Sequence, residues 1–243
     1  MSNRPGIYHD IGKDAEDLLY KDYTQQPPFR YKYGCFDCNF DVSCGMDEIL
    51  PGLRTKFRFI IPYQNKVDLQ YLHDYFGITS GISLKENILL NLSGAIGNGF
   101  FSMGTDLCFD VNRRKFDRCD AGLSINSSFL VASLTLNDMA NTLRASLHTT
   151  VCPLTNTAVA AELTHKFLTN ENVFTFGTQH ALFPITLLKA RVSSNGRIGA
   201  LIQQQLLPSF FFTVAGDVDF RASTGSSETT RIAKVGLSLA VRP

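Results

Sequence analysis

From about residue 38 to its end, the chain alternates apolar and polar residues with a period of two. In residues 53–61, for example, Phe57 and Phe59 alternate with Lys56 and Arg58. Successive side chains of a β-strand point to opposite faces, so such a run predicts a strand with one apolar and one polar face. Turn-forming Asn, Gly and Pro residues separate runs of roughly 8–12 residues, and we count about fifteen strands.

No helical pattern lies between these strands, which excludes a parallel β-α-β architecture. An antiparallel meander remains. The number of strands indicates which face of this meander lies outside. About fifteen strands are too many for a barrel whose interior is filled by its own side chains. A lumen of that width holds water, so the polar faces point inward and the apolar faces meet lipid. The sequence therefore predicts an all-β, transmembrane antiparallel β-barrel.

Strand length and composition agree with this interpretation. Strands of about ten residues match the tilted crossing of a hydrocarbon core, and no run of 18 apolar residues indicates a transmembrane helix. A soluble two-sheet sandwich is the alternative that alternation alone leaves open. Charged residues make up 19% of the chain, and their net charge is only +1. This balance excludes a strongly basic surface overall, so no nucleic-acid partner is expected.

One segment near the start has helical periodicity instead. Its apolar residues recur every three or four positions, which predicts an amphipathic helix. They are Ile7, Ile11, Ala15, Leu18 and Leu19. Pro27 and Pro28 forbid its continuation. We therefore divide the chain into a helical segment, residues 1–24, and a membrane barrel, residues 25–243.

The block that follows the helix contains a change of phase. Apolar residues in 29–35 occupy odd positions, whereas those in 38–44 occupy even positions. Since a slip of one residue moves side chains to the opposite face, a turn or a bulge lies near residues 34–37. A turn gives sixteen strands, and a bulge gives fifteen with one parallel closing pair. We prefer fifteen, and an unclosed barrel is a third alternative.

No catalytic, metal or cofactor site is predicted. Cys35 and Cys38 form a CxxC, but the other four cysteines supply no second ligand pair for zinc. His73 and Asp74 are adjacent on a strand, so their side chains point to opposite faces and cannot cooperate. None of the five histidines lies in a recognisable nucleophile or phosphate-binding motif. The chain is therefore not expected to be an enzyme.

Further information comes from seven segments of the chain: 5–13, 17–23, 51–55, 69–75, 132–137, 153–159 and 169–172. These segments resemble the voltage-dependent anion channels, the mitochondrial porin family, in its plant form. The similarity extends over almost the whole chain.

This resemblance implies a barrel whose N-terminal helix lies in the lumen, in the mitochondrial outer membrane. The implied function is a voltage-gated, weakly anion-selective pore for small metabolites and ions. Its partners would be membrane lipid, with anionic metabolites and nucleotides as permeants, and homo-oligomers are a further expectation. The alternative function is a non-conducting barrel that acts as a docking or lipid-handling protein.

Two sets of residues follow from the resemblance. Basic side chains on the helix and on strand walls are candidates for favouring anions. They are Lys13, Lys21, Arg54, Lys56, Arg58, Lys189, Arg191 and Lys234. The final strand carries a pattern similar to the mitochondrial sorting signal of outer-membrane barrels. Its residues are Lys234, Gly236, Leu239 and Val241.

The chain also departs from the family. Its relatives are expected to be longer by roughly thirty to forty residues, which corresponds to about three strands near the N-terminus at the usual strand length. Asp14 and Glu16 stand where bases are common on the family's helix, and this weakens the expected anion preference.

Overall fold

The computed structural model describes residues 6–21, 23, 40–47, 53–61, 64–84, 88–183, 185–207, 210–220 and 232–241. The chain divides into two compact units. The first comprises Met1–Ile11, Phe29–Ser127 and Ser133–Arg144, and the second comprises Gly12–Pro28, Ser128–Ala132 and Ala145–Pro243.

The first unit is an antiparallel sheet in which each strand pairs with the next along the chain. Its strands are β1 (Phe40–Asp47), β2 (Leu53–Ile61), β3 (Gln64–Leu72), β4 (Phe76–Leu84), β5 (Ile88–Gly97), β6 (Phe101–Asp110) and β7 (Lys115–Asn126). Two further strands, β8 (Leu130–Asn137) and β9 (Thr142–Cys152), contribute residues to both units.

The second unit repeats the same antiparallel pairing. Its strands are β10 (Thr157–Lys166), β11 (Glu171–Phe183), β12 (Thr186–Ser193), β13 (Arg197–Leu207), β14 (Phe210–Asp219) and β15 (Ile232–Val241). In the turns before β10, β11 and β13, Asn156, Asn170 and Gly196 adopt the positive φ that tight turns need. The predicted all-β antiparallel architecture is confirmed.

Alternation gives the sheet of each unit two chemically different faces. On β6, Ser102 and Asp106 are buried, whereas Met103 is exposed. On β11, Thr175 is buried, whereas Phe176 is exposed. The polar face is thus the covered one, the reverse of a soluble sheet. Such an arrangement suits an apolar solvent outside.

The helical segment is shorter than its periodicity predicts, and it is split. A 3-10 turn occupies Tyr8–Asp10, and a helix, α1, occupies Lys13–Leu19. Gly12 separates them with a φ of 74°, a left-handed conformation that glycine adopts without steric cost. The turn belongs to the first unit and α1 to the second.

Fifteen strands are present among the described residues. The stretch 29–33, on which the sixteen-strand alternative depends, lies outside them. Within the described part of the chain, no helix is both long and apolar enough to cross a membrane.

Candidate functional site

Helix α1 lies on the polar face of the second unit, where it contacts β10, β11 and β12. Leu18 and Leu19 are 2% and 0% exposed and pack with Ala158 and Ala160. A Cβ atom added at Gly177 would lie 2.6 Å from Cδ2 of Leu19. We call Ala158, Ala160 and Gly177 the small-residue socket. It gives the helix an apolar seat on an otherwise polar wall.

Charged groups surround this socket and bind the end of α1. Lys189 Nζ donates to the carbonyl oxygen of Asp17 at 2.9 Å, and Arg191 Nη1 donates to that of Leu19 at 3.0 Å. Arg191 Nη2 also donates to Asp217 Oδ2 at 2.7 Å. The last carbonyls of a helix have no partner within it, so these cations satisfy groups that would otherwise be unpaired.

Aromatic side chains continue the contact beyond α1. Tyr20 Oη donates to Glu162 Oε1 at 2.7 Å. The Arg191 guanidinium carbon lies 4.4 Å from the ring centroid of Tyr23, a cation–π distance. Burial raises the pKa of Tyr23 to about 12; Arg191 opposes this rise and Asp217 adds to it. Tyr23 therefore stays neutral at physiological pH.

The 3-10 turn has a different environment on the polar face of the first unit. Tyr8 and Ile11 are nearly buried, and an added Cβ at Gly122 would lie 3.3 Å from Ile11 Cγ2. Two carboxylates, Asp106 and Asp120, stand opposite each other on β6 and β7. Burial raises the pKa of Tyr8 to about 12, and Asp120 and Asp106 add to the shift.

Arg118 and a backbone amide stabilise these two carboxylates. Arg118 Nη1 lies 3.4 Å from Asp106 Oδ2, and the amide of Asp138 donates to Asp120 Oδ1 at 3.0 Å. A polar cavity of about 280 Å³ adjoins them, with Ile7, His9 and Asp68 in its lining. Among the described residues, no group of three or more His, Cys, Asp or Glu side chains could hold a metal ion.

Comparisons with known proteins agree with this two-faced sheet. The sequence profile of the family described as "Eukaryotic porin" matches residues 31–228. The potato "Mitochondrial outer membrane protein porin of 36 kDa" is 43% identical over all of both chains. The Arabidopsis thaliana "Mitochondrial outer membrane protein porin 1" is 40% identical, and the potato "Mitochondrial outer membrane protein porin of 34 kDa" is 39% identical, again over all of both chains.

The chain belongs to the eukaryotic porin family.

As a eukaryotic porin, the chain is a pore-forming membrane protein of a channel family rather than of an enzyme family. The predicted transmembrane β-barrel class, the resemblance to plant mitochondrial porins and the location in the mitochondrial outer membrane are all confirmed. The alignment with the 36 kDa potato porin spans 282 positions, 39 more than the 243 residues of this chain. This difference agrees with the expected shortening.

The porin's predicted basic residues fall into three groups. Lys13 and Lys21 are exposed on the helical segment, and Lys21 forms an ion pair with Asp17 at 3.1 Å. Lys189 and Arg191 are buried against that segment. The remaining four, Arg54, Lys56, Arg58 and Lys234, have side chains outside the described part of the chain. Their role in anion preference stays a prediction.

Backbone register gives further information on two of those four residues. Lys56 pairs with Asp68 across β2 and β3, and Lys234 pairs with Asp217 across β14 and β15. Each base therefore stands directly opposite a carboxylate-bearing residue.

The predicted sorting signal lies on β15. Gly236 belongs to this strand, and its neighbours Val235 and Leu237 are 75% and 70% exposed. The side chains of Leu239 and Val241 lie outside the described part. An apolar outer face on the last strand is compatible with the signal, which stays a prediction.

Sequence reasoning did not single out Tyr20, Glu162 or Asp217. Alternation places Glu162 and Asp217 on the polar face of their strands, as observed. It carries no signal for which polar residues meet the helix, because that contact joins positions 142 residues apart in the chain.

Proposed function

We propose that the chain forms a voltage-gated, weakly anion-selective pore that passes small metabolites and ions across the mitochondrial outer membrane. One observation carries this proposal. In both units the ionised side chains and the helical segment share one face of the sheet, and large apolar side chains cover the other. In a porin, that polar face is the one that borders water.

Several basic residues supply the proposed anion preference. Lys13 and Lys21 are exposed on the helical segment. The other proposed residues are Arg54, Lys56, Arg58 and Lys234. Cationic side chains along an aqueous path lower the electrostatic barrier for anions. Asp14 and Glu16 are exposed on α1 and act in the opposite direction. A weak preference is therefore the expected balance, with anionic metabolites and nucleotides among the permeants.

Planar bilayer recording tests this proposal directly. Insertion of the purified chain should produce discrete steps of current, and the inserted channels should close at higher voltage. Under a KCl gradient, the reversal potential should show that chloride is favoured over potassium. Lys13→Gln combined with Lys21→Gln should reduce that preference, because both charges are exposed. Glu171→Gln, at the start of β11, is the matched control for removal of an exposed charge and should have a smaller effect.

The missing 39 alignment positions favour a second candidate, a barrel that docks partners or handles lipid without conducting. This protein would insert into bilayers and resist extraction by carbonate, yet it would produce no current steps. Insertion without conductance would overturn the pore and select this alternative.

Homo-oligomerisation is a separate proposal. Exposed apolar side chains cover one face of the sheet in each unit, and copies side by side in the membrane would pack through these faces by van der Waals contact. Chemical cross-linking in native membranes should yield dimers and larger species. If only monomers were detected at every cross-linker concentration, this proposal would be contradicted.

A further inference from the structure

Two cationic strand residues, Lys189 and Arg191, donate hydrogen bonds to the C-terminal end of α1. This contact bears on whether they select anions. Lys189 and Arg191 are 5% and 6% exposed. Lys189 Nζ and Arg191 Nη1 donate to backbone carbonyls of α1. A permeating anion competes for a cation only where the cation is accessible, so burial removes most of their value for selecting ions.

The geometry at Arg191 is specific to a guanidinium. Nη1 binds the Leu19 carbonyl while Nη2 binds the Asp217 carboxylate. The same group lies beneath the rings of Tyr20 and Tyr23, at 5.6 and 4.4 Å. Lysine carries the same charge but lacks the planar, forked set of donors that binds two acceptors at once.

Leu18 and Leu19 supply the apolar contacts of α1, which lack directional specificity. Leu18 and Leu19 fill the small-residue socket, which sets the depth of the helix on the sheet. The two cations fix its position along the sheet, because hydrogen bonds to carbonyls are directional. Charge-assisted hydrogen bonds are about twice as strong as neutral ones, so these two make a large contribution to holding the end of the helix.

We propose that Lys189 and Arg191 are positioning residues that hold the C-terminal end of α1 on the wall, and that they do not determine anion preference. The inference rests on the proposed pore function for its electrical readout only. Its structural readout does not depend on conductance.

A tryptophan reporter gives the structural readout. The chain has no Trp, so Tyr23→Trp introduces a single fluorophore at a 2% exposed position and keeps an aromatic face over Arg191. In this background Arg191→Met should raise the acrylamide quenching constant at least about two-fold, because a released segment exposes its ring to water. Lys189→Met should raise it by a smaller factor.

Arg191→Lys separates the two roles without removing charge. A positioning role predicts that it raises quenching nearly as much as Arg191→Met does. A selectivity role predicts that it changes neither quenching nor reversal potential. Because this variant is milder, it also keeps the test open if Arg191→Met fails to fold. The matched control is Arg197→Met, which removes an arginine paired with Asp219 across β13 and β14, and it should leave quenching unchanged.

The reversal potential completes the test. In the wild-type Tyr23 background, we expect the chloride-to-potassium permeability ratio of Lys189→Met and Arg191→Met to stay within about 1.3-fold of wild type. Both groups are covered by the helix, and Asp217 neutralises the charge of Arg191 locally. A large fall in that ratio with unchanged quenching would overturn the inference. A wild-type chain without conductance would defeat the proposed pore, while the quenching result would still decide the positioning role.

Discussion

The two ends of the helical segment are attached to their sheets in different ways. The 3-10 turn places Tyr8 near the facing carboxylates Asp106 and Asp120, and Ile11, which follows the turn, lies close to Gly122. In contrast, α1 places Leu18 and Leu19 in the small-residue socket and directs its last carbonyls at Lys189 and Arg191. One attachment is a phenol beside negative charge, and the other is an apolar seat reinforced by positive charge.

This difference shows that a polar wall can hold a helix only where it is locally modified. In the second unit, alanine and glycine form the seat of the helix, and cations satisfy its open carbonyls. In the first unit, the short turn contacts the sheet through the side chains of Tyr8 and the neighbouring Ile11. We therefore expect the α1 attachment to be the stronger of the two.

The largest expected effect is the loss of apolar packing at α1. Leu19→Ala should lower the free energy of unfolding by about 3 kcal/mol, since it removes a fully buried side chain. Ile11→Ala should cost about half as much because the side chain is slightly exposed and its neighbourhood is more polar. Urea denaturation in detergent micelles, followed by circular dichroism, measures both. Equal losses would show that apolar packing does not distinguish the two attachments.

Glycine substitution examines how closely each end is packed. A Cβ at position 177 would lie 2.6 Å from Leu19 and 3.1 Å from the Ala190 carbonyl, whereas a Cβ at position 122 meets nothing closer than 3.1 Å. Gly177→Ala should therefore cost about 1–2 kcal/mol of stability through overpacking. Gly122→Ala should cost less than that, and the reverse order in the same denaturation assay would contradict the packing described for α1.

Alkaline titration compares the two tyrosines. Both have a pKa of about 12 in the folded chain against about 10 in the unfolded chain. The folded state thus keeps its phenolic protons where the unfolded state has lost them, so stability is complete below pH 10 and falls as the pH rises towards 12. Each tyrosine should account for a loss of about 1 kcal/mol at pH 11.

Absorbance at 295 nm follows this titration. Tyr8→Phe and Tyr23→Phe should each remove one late-titrating group. Asp120→Asn should lower the pKa of Tyr8 and leave that of Tyr23 unchanged, because Asp120 raises only the former. If all tyrosines titrated in a single transition near pH 10, the burial of Tyr8 and Tyr23 would be refuted.

The smallest expected effect concerns exposed charge on α1. Asp14→Asn combined with Glu16→Gln should raise the chloride-to-potassium permeability ratio about 1.5-fold, as exposed charges act weakly through screening solvent. Reversal potentials under a KCl gradient measure this change. The same pair should leave tryptophan quenching at position 23 unaltered, and a fall in the ratio would contradict the proposed selectivity.

Alternation was sufficient to predict most of the fold. It located the strands from β2 onward and predicted that each has one polar and one apolar face, because a period of two is a local property of extended backbone. The helical periodicity correctly selected Ile11, Ala15, Leu18 and Leu19 as buried. It did not predict the break at Gly12, since the left-handed conformation there interrupts the helix without disturbing the apolar spacing.

The candidate site was harder to predict from sequence. Lys189 and Arg191 were recognised as basic residues on a polar face, and the structure adds that the helix covers them. That information depends on which strands the helix crosses and where it ends. Both are tertiary properties that no local pattern of charge records.

The socket beneath α1 also constrains how such a chain can diverge. A wall position that gains bulk at Gly177, Ala158 or Ala160 needs a compensating loss on the helix at Leu18 or Leu19. Substitutions at these sites should therefore be tolerated in matched pairs more readily than singly, so that each half of the contact limits the changes open to the other.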